Sequence, residues 1–142
     1  MNKQREIEYD LLYMDLAMRI SEMSYAVRNR VGCVIVKDHN IISYGFNGTP
    51  TGFDNTCEVE VEGVLITKPE VLHAESNAIS KLAKIGVSSE EASIYITLSP
   101  CFECAKLLIQ AGIKKVFYKN EYRKIDGLEL LEQANIQIHQ IK

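Results

Sequence analysis

Two short motifs in the sequence combine residue types that bind metal ions and transfer protons. One is His-Ala-Glu at residues 73–75, and the other is Pro-Cys-Phe-Glu-Cys at residues 100–104. Cys101 and Cys104 are three positions apart at the expected start of a helix, so both thiols lie on one side and can reach one ion. The positive end of the helix dipole favours the thiolate form, which binds metals. This spacing therefore indicates a metal site or a redox pair.

His73 supplies a third candidate ligand, and three protein ligands leave the fourth position of a tetrahedral zinc ion open, as in catalytic zinc sites. Glu75 lies beside this ligand and can handle protons. Alone, the Cys-x-x-Cys pair would also suit a structural zinc or a thioredoxin-like redox site. The joint pattern of His-x-Glu and Pro-Cys-x-x-Cys resembles the signature of the zinc-dependent nucleobase deaminases.

Composition and charge narrow the class of protein. The chain has 142 residues, 46% of them hydrophobic and 25% charged, which is enough apolar material for one core in a single domain spanning 1–142. A net charge of −3 disfavours binding to a nucleic-acid backbone, which requires clustered Lys and Arg. The polar residues 1–10 contain no apolar leader segment, and no apolar run is long enough to span a membrane, so we expect a soluble, cytoplasmic protein. Four cysteines in such a compartment suggest metal binding before disulfides.

The first helix is predicted from apolar residues spaced three and four apart, which form a stripe over five to six turns. That stripe contains Tyr9, Leu12, Leu16, Ile20, Met23 and Val27. A second stripe contains Leu11, Met14 and Met18. It predicts either a helix buried on two sides or a contact between subunits.

The rest of the chain alternates between strand-like and helix-like segments. We expect strands at 31–36, 41–46, 92–98, 114–118 and 136–141, with helices at 74–86, 101–111 and 125–134. The first two strands form a hairpin around a polar turn, and the polar residues 47–68 form a long loop with an extended piece at 61–67. This order indicates an α/β fold with helices on both faces of the sheet and parallel strands in its second half.

Longer segments resemble the deoxycytidylate (dCMP) deaminases over most of residues 10–136. The segments that match are RVGCVIV (30–36), GFNGTPTGFDNTC (45–57), HAESNAI (73–79), TLSPCFECAKLLIQAGIKKVFY (97–118) and EYR with GLELLEQANI (121–136). The resemblance implies a three-layer α/β/α sandwich with a mixed five-stranded sheet, the cytidine deaminase-like fold. It also implies a hydrolase of a cyclic amidine C–N bond, which uses one catalytic zinc per chain to convert dCMP to dUMP and ammonia in pyrimidine nucleotide metabolism. Glu75 would move protons from water to the ring and to the leaving amine.

The same resemblance implies roles for five substrate-binding residues. Asn47 would hydrogen-bond the sugar, the Ala74 N–H would hold the base carbonyl, and the Ser99 carbonyl would meet the amine. Arg30 and Tyr122 would lie near the substrate phosphate, and an Arg fork suits that group. Two structural alternatives stay open, because Arg30 also suits a solvated helix end and Asn47 also suits a turn.

Many members of the family are hexamers activated by dCTP and inhibited by dTTP. The resemblance therefore implies that this chain forms a homo-oligomer, with a hexamer as the candidate state, and that dCTP and dTTP are candidate effectors. Lys81 and Lys84 are the candidates for contacting such an effector, which would bring Mg²⁺, although both lysines also suit the solvated face of a helix. The loop before His73 is shorter than in regulated relatives, and Cys57 has no histidine partner within it, so we expect no second zinc. The alternatives are a deaminase of free cytidine, tRNA or single-stranded DNA, and a zinc-binding scaffold without activity.

Overall fold

The structure is a computed structural model that describes residues 1–142 as four helices and seven strands. The helices are α1 (Lys3–Ser21), α2 (Ala74–Ile85), α3 (Phe102–Gln110) and α4 (Asp126–Gln133). The strands are β1 (Gly32–Lys37), β2 (Asn40–Phe46), β3 (Glu58–Val61), β4 (Val64–Thr67), β5 (Ser93–Leu98), β6 (Lys115–Asn120) and β7 (Gln137–Gln140). None of the helices combines the length and the apolar character that crossing a bilayer requires.

Five strands form one mixed sheet in the order β2-β1-β5-β6-β7. Strand β1 pairs antiparallel with both β2 and β5, whereas β5, β6 and β7 are parallel to one another. Helices α3 and α4 make the two parallel crossovers. The α/β class, the initial hairpin and the parallel second half are therefore confirmed.

Helices cover both faces of this sheet, which gives the expected three layers. On one face, α1 packs against the sheet through a small cluster that contains Tyr13, Met14, Ala17, Val34, Val36, Tyr95 and Phe117. On the other face, α2, α3 and α4 close the larger core, which includes Ile35, Ala78, Leu82, Ile94, Ile96, Leu108, Val116 and Leu131. Strand β5 is buried on both faces, so it presents no alternation of polar and apolar residues.

The predicted length of five to six turns for α1 is confirmed, but the predicted position of its C-terminal end was wrong. The helix has 19 residues and ends at Ser21, so Met23 and Val27 lie beyond it and are exposed to 57% and 73%. Leu12 is also 46% exposed, because the buried side of the helix is centred on Tyr13, Met14 and Ala17. In the second stripe, Met14 is core, while Leu11 and Met18 are exposed; the contact between subunits stays a prediction.

The long loop contains more structure than expected. Strands β3 and β4 form an antiparallel hairpin that is separate from the main sheet. Glu62 and Gly63 connect them with φ values of 51° and 79°, and two consecutive positive φ values are typical of the type I′ turn. The base of the hairpin is tied by the Lys68 N–H, which donates to the Cys57 carbonyl at 2.8 Å.

The topology brings four strand ends to one edge of the sheet. The start of β1 is opposite the end of β2, because Gly32 pairs with Phe46. The ends of β5 and β6 are also paired, through Leu98 and Asn120. In open α/β sheets, ligands bind outside the carboxyl ends of the parallel strands. Both chemical motifs and the Asn47 loop follow or face this edge.

Helix α4 begins directly against the loop that carries the cysteine pair. A Cβ atom at Gly127 would overlap the carbonyl oxygens of Pro100 and Cys101, so only glycine permits this approach. We expect Gly127→Ala to lower the free energy of unfolding by about 1–3 kcal/mol in urea denaturation, since overpacking outweighs the higher helix propensity of alanine. Glu129→Ala, on the exposed side of the same helix, is the control and should change stability by less than about 0.5 kcal/mol. Equal stabilities of the two variants would contradict the close packing of α4 on this loop.

Candidate active site

The N-termini of α2 and α3 converge on a group of three metal-ligating side chains. His73 is the N-cap residue of α2, and Cys101 is the N-cap residue of α3, so both have extended backbones and direct their side chains ahead of the helix. Cys104 lies in the first turn of α3 and is 5% exposed. The local geometry at two helix starts therefore brings together three residues that are distant in sequence.

The distances among these atoms suit a zinc ion. His73 Nδ1 is 3.2 Å from Cys104 Sγ and 3.5 Å from Cys101 Sγ, and all three ligand atoms lie within 4.8 Å of one another. Tetrahedral zinc with ordinary Zn–N and Zn–S bonds separates such atoms by about 3.6 Å. Two soft thiolates and one imidazole are also the donor types that zinc prefers.

His73, Cys101 and Cys104 hydrogen-bond to one another, and a bound cation would take the place of the protons in these bonds. The pKa of Cys101 falls to about 4, because its sulfur accepts a hydrogen bond from Cys104 and a further one from His73. The same hydrogen bond with Cys101, together with burial, raises the pKa of the Cys104 thiol. The pKa of His73 is raised by its hydrogen bond to Cys101. Cys101 is therefore the cysteine of the pair that loses its proton more readily.

Glu75 is buried in the first turn of α2, two residues after His73. It is 4% exposed, and this burial raises its pKa to about 7. A carboxyl group that titrates near neutrality can both accept and donate a proton under physiological conditions. Its placement beside the ligands is the one that the sequence motif predicted.

A cavity of about 260 Å³ opens beside this group. His73, Glu75 and Cys101 contribute to its wall together with residues from β5, the Asn47 loop, the β3–β4 hairpin and the segment after β6. Cys104 is covered and does not line it. The remaining cysteines differ from the metal group, because Cys33 is fully buried against the Ala74 carbonyl and Cys57 contacts the Asn55 carbonyl.

Asn47 lies in the cavity wall and also organises the segment that joins α1 to β1. Its Oδ1 accepts from the Val31 N–H at 2.9 Å, and its Nδ2 donates to the Asn29 carbonyl at 2.8 Å. An amide has two N–H donors, so one donor stays available to a ligand. The structure therefore gives Asn47 the turn-stabilising contacts of one sequence interpretation and a position that suits the other.

Three further residues that were predicted to contact the substrate line the cavity: Ala74, Ser99 and Tyr122. Ala74 is the first residue of α2, where N–H groups lack partners within the helix. Ser99 Oγ accepts from the Tyr122 N–H at 2.7 Å, which fixes the segment after β6 beside β5. Ser99 thus has a positioning function that its sequence did not indicate.

Among the predicted phosphate-binding residues, Arg30 has a different position. Its Nε donates to the Ala26 carbonyl at 3.1 Å, and it is absent from the cavity wall. The arginines that do line the cavity are Arg28 and Arg123, which the sequence interpretation missed. Arg123 directly follows Tyr122 and stacks its guanidinium 5.4 Å from the ring centroid, so the adjacent tyrosine could have indicated it.

Lys81 and Lys84 lie on α2 outside the cavity wall. The Lys81 ammonium donates to the Tyr44 carbonyl at 3.0 Å and lies 3.7 Å from the centroid of the Tyr44 ring. Burial lowers the pKa of Lys81. Lys81 therefore has a structural partner within the chain, whereas Lys84 is exposed. Their contact with an effector stays a prediction.

Comparisons with known proteins agree with this arrangement. The family model for the cytidine and deoxycytidylate deaminase zinc-binding region matches residues 7–120. The matched range includes His73, Glu75, Cys101 and Cys104.

Three similar proteins illustrate how far the likeness extends. The deoxycytidylate deaminase of Enterobacteria phage T4 is 32% identical over 168 residues, covering 90% of this chain and 87% of that protein. ComE operon protein 2 of Bacillus subtilis is 35% identical over 140 residues, covering 96% of this chain and 72% of that protein. A crystal structure of dCMP deaminase from the cyanophage S-TIM5, in complex with dCMP and dUMP, has a TM-score of 0.88 with 41% identity and covers 99% of each chain.

Proposed function

The chain belongs to the cytidine and deoxycytidylate deaminase family, and we propose that it hydrolyses dCMP to dUMP with release of ammonia. The observation that carries this proposal is a single cavity that combines His73, Cys101 and a buried Glu75 with two arginines. His73, Cys101 and Cys104 would hold zinc, one ion per chain, which supplies a Lewis acid that makes water nucleophilic at neutral pH. Phage relatives named deoxycytidylate deaminase support dCMP over other cytosine compounds.

In this proposal, Glu75 moves both protons of the reaction. Its carboxylate takes a proton from the water that attacks C4 of cytosine and gives it to N3 of the ring. It then takes the proton of the new hydroxyl group and delivers it to the exocyclic amine. The C4–N4 bond breaks, ammonia leaves, and a carbonyl remains at C4. Burial of Glu75 beside the metal ligands keeps its carboxylate from being fully solvated and holds it at the reacting atoms.

The base and sugar would be held by the polar groups around the same cavity. The Ala74 N–H would donate to the base carbonyl, and the Ser99 carbonyl would accept from the amine. Asn47 has a free N–H for the sugar, since its other amide atoms are used by Asn29 and Val31. These contacts distinguish the amine from the carbonyl of cytosine, so they fix which ring carbon faces the metal.

The substrate phosphate would bind between Arg28 and Arg123, with Tyr122 beside them. These two arginines are the cationic side chains of the cavity wall. Arg28 Nη1 donates to Thr67 Oγ1 at 3.1 Å, which orients the guanidinium at the base of the hairpin. A planar guanidinium can form two parallel hydrogen bonds to a phosphate.

Replacing Arg28 tests this assignment against the sequence-based choice of Arg30. Arg28→Gln should lower kcat/KM for dCMP about 10- to 100-fold, because a charge-assisted hydrogen bond is lost. Turnover of deoxycytidine, which lacks the phosphate, should change little. Steady-state kinetics with both substrates provide the measurement.

Arg30→Gln is the matched control, since it removes the same charge two residues away and outside the cavity. We expect it to retain kcat/KM for dCMP. A larger loss of kcat/KM from Arg30→Gln than from Arg28→Gln would mean that Arg30, and not Arg28, binds the phosphate.

Ultraviolet-monitored deamination tests the proposed function itself. The assay compares dCMP with cytidine, deoxycytidine, dCTP and a short cytosine-containing DNA strand. We expect dCMP to be the preferred substrate by a wide margin. Preferred turnover of the nucleoside or of DNA would overturn the nucleotide assignment, and a chain that binds zinc without releasing ammonia from any of them would be a scaffold.

The same assay with dCTP or dTTP and Mg²⁺ tests the predicted effectors, and light scattering tests the predicted homo-oligomer. We place the reaction in the cytoplasm, because all four cysteines are free and two of them must stay reduced to bind zinc.

A further inference from the structure

Glu58 is a buried carboxylate in the cavity wall that the deamination chemistry does not use. It is the first residue of β3, it is 7% exposed, and the cavity contacts it. Carboxylates are almost never this buried without specific partners. Its position in a nucleotide-sized cavity therefore requires an explanation.

One carboxylate oxygen of Glu58 has a structural task. Oε2 accepts from the Val27 N–H at 2.9 Å and from the Arg28 N–H at 3.1 Å. These bonds join the base of the hairpin to the segment that carries Arg28. The residue that pairs with Glu58 across the hairpin is Thr67, which binds the Arg28 guanidinium.

The other oxygen, Oε1, has no hydrogen-bond partner in the protein. Every fully covered side-chain oxygen or nitrogen of the buried and half-buried residues has a hydrogen-bond partner. Because Oε1 has no such partner, it is not fully covered and is accessible. Because Glu58 lines the cavity and is otherwise buried, this oxygen is available to a molecule inside the cavity. A carboxylate oxygen only accepts hydrogen bonds, so it requires a donor on the ligand.

A deoxynucleoside monophosphate has few donors to offer. The amine of cytosine is at the reacting end, and the phosphate is anionic and would be repelled by a carboxylate. The 3′-hydroxyl of the sugar is the one remaining donor. On the basis of the proposed function, we propose that Glu58 Oε1 accepts a hydrogen bond from this 3′-hydroxyl while Oε2 holds Val27 and Arg28.

This contact would make Glu58 a specificity residue for free nucleotides. Within a DNA strand, the 3′-oxygen carries a phosphodiester instead of a hydrogen. Such a substrate would leave the carboxylate without its donor and bring a second negative charge towards it. Both effects disfavour binding, because a buried acceptor without a partner and a like-charge contact each carry a cost. Glu58 thus excludes polynucleotides from a cavity that accepts dCMP.

The contact is tested by removing the 3′-hydroxyl from the substrate and the charge from Glu58, separately and together. We compare kcat/KM for dCMP and for 2′,3′-dideoxycytidine monophosphate, which lacks only the 3′-hydroxyl. The wild type should favour dCMP about 10- to 100-fold, as expected for a hydrogen bond to a charged group. In Glu58→Gln, whose neutral amide can still accept from Val27 and Arg28, this ratio should fall to within a few-fold of unity. Glu60→Gln, on the exposed end of the same strand, is the charge-matched control and should retain the wild-type ratio.

A purely structural role of Glu58 predicts a different result. Glu58→Gln would then lower kcat/KM equally for both substrates and leave the ratio unchanged, which would overturn the proposal. Deoxycytidine 3′,5′-bisphosphate provides a second readout: we expect Glu58→Gln to discriminate against it less strongly than the wild type does.

Measuring product binding to the wild-type protein tests the contact without relying on the Glu58→Gln variant. Calorimetry should give a Kd for dUMP about 10-fold or more below that for 2′,3′-dideoxyuridine monophosphate. Equal Kd values would overturn the role of Glu58 even if Glu58→Gln did not fold. A wild type that does not deaminate dCMP would instead contradict the proposed function, so the two failures are distinguishable.

Discussion

Glu75→Gln is expected to retain zinc and to lose about 10²- to 10⁴-fold in kcat, the range that a positioned general acid–base contributes. The amide has nearly the size of the carboxyl group but cannot accept the proton of water at neutral pH or carry it to the ring. Since Glu75 is not among the three ligands, the metal site should keep its donors. Single-turnover kinetics with dCMP and zinc content by elemental analysis provide the two measurements.

The control for this variant is Glu103→Gln. Glu103 lies in the first turn of α3 between the two cysteines, but it is exposed and pairs with Lys106 at 3.1 Å. Both substitutions remove one negative charge at a helix start close to the metal group. Glu103→Gln should therefore retain kcat. Comparable activity of the two variants would mean that Glu75 does not transfer the protons.

The metal group and Glu75 could be predicted because their geometry depends on short-range structure. The three-residue spacing of Cys101 and Cys104 brings both sulfurs to one side of a helix start wherever that helix is placed. His73 and Glu75 likewise occupy fixed positions at the start of α2. The sheet then only has to bring two helix starts to one edge, which the order of strands and helices already indicated.

The role of Glu58 could not be predicted in this way. Its partners Val27 and Arg28 are about 30 residues earlier in the chain, and the local sequence EVEV alternates like an exposed hairpin. Burial of this carboxylate depends on where the α1–β1 segment meets the hairpin, and no local periodicity records that contact. Arg28 and Arg30 illustrate the same limit, because two similar side chains two positions apart have different surroundings.

The C-terminal end of α1 also could not be predicted from the spacing of apolar residues. The apolar spacing continues to Val27, yet the helix stops at Ser21. No glycine or proline marks the stop, and the Ser24 hydroxyl instead accepts from the Ala26 N–H and donates to the Asn47 carbonyl. A tertiary contact with the cavity loop thus replaces a local termination signal. The same contact brings Ala26, Arg28, Asn29 and Val31 into the cavity wall, so the misplaced helix end and the missed Arg28 have one cause.

Cys104→Ser is expected to remove zinc and nearly all turnover together. The serine hydroxyl is neutral at physiological pH and is a poor zinc ligand, whereas the thiolate is a preferred one. Because Cys104 is buried and outside the cavity wall, its loss cannot act through a direct contact with substrate. Zinc content by elemental analysis, together with kcat for dCMP, tests the expectation.

Cys57→Ser is the matched control, since Cys57 is also buried but lies at the cavity wall away from the metal group. It should retain one zinc per chain and most of the activity, because serine can still donate to the Asn55 carbonyl that Cys57 contacts at 3.5 Å. If Cys57→Ser lost zinc while Cys104→Ser kept it, the ligand set would be wrong. If both variants kept zinc but only Cys104→Ser lost turnover, zinc would bind elsewhere and Cys104 would act through the packing of α3. The expected pattern, with both losses confined to Cys104→Ser, requires that the thiolate hold the ion on which the chemistry of Glu75 depends.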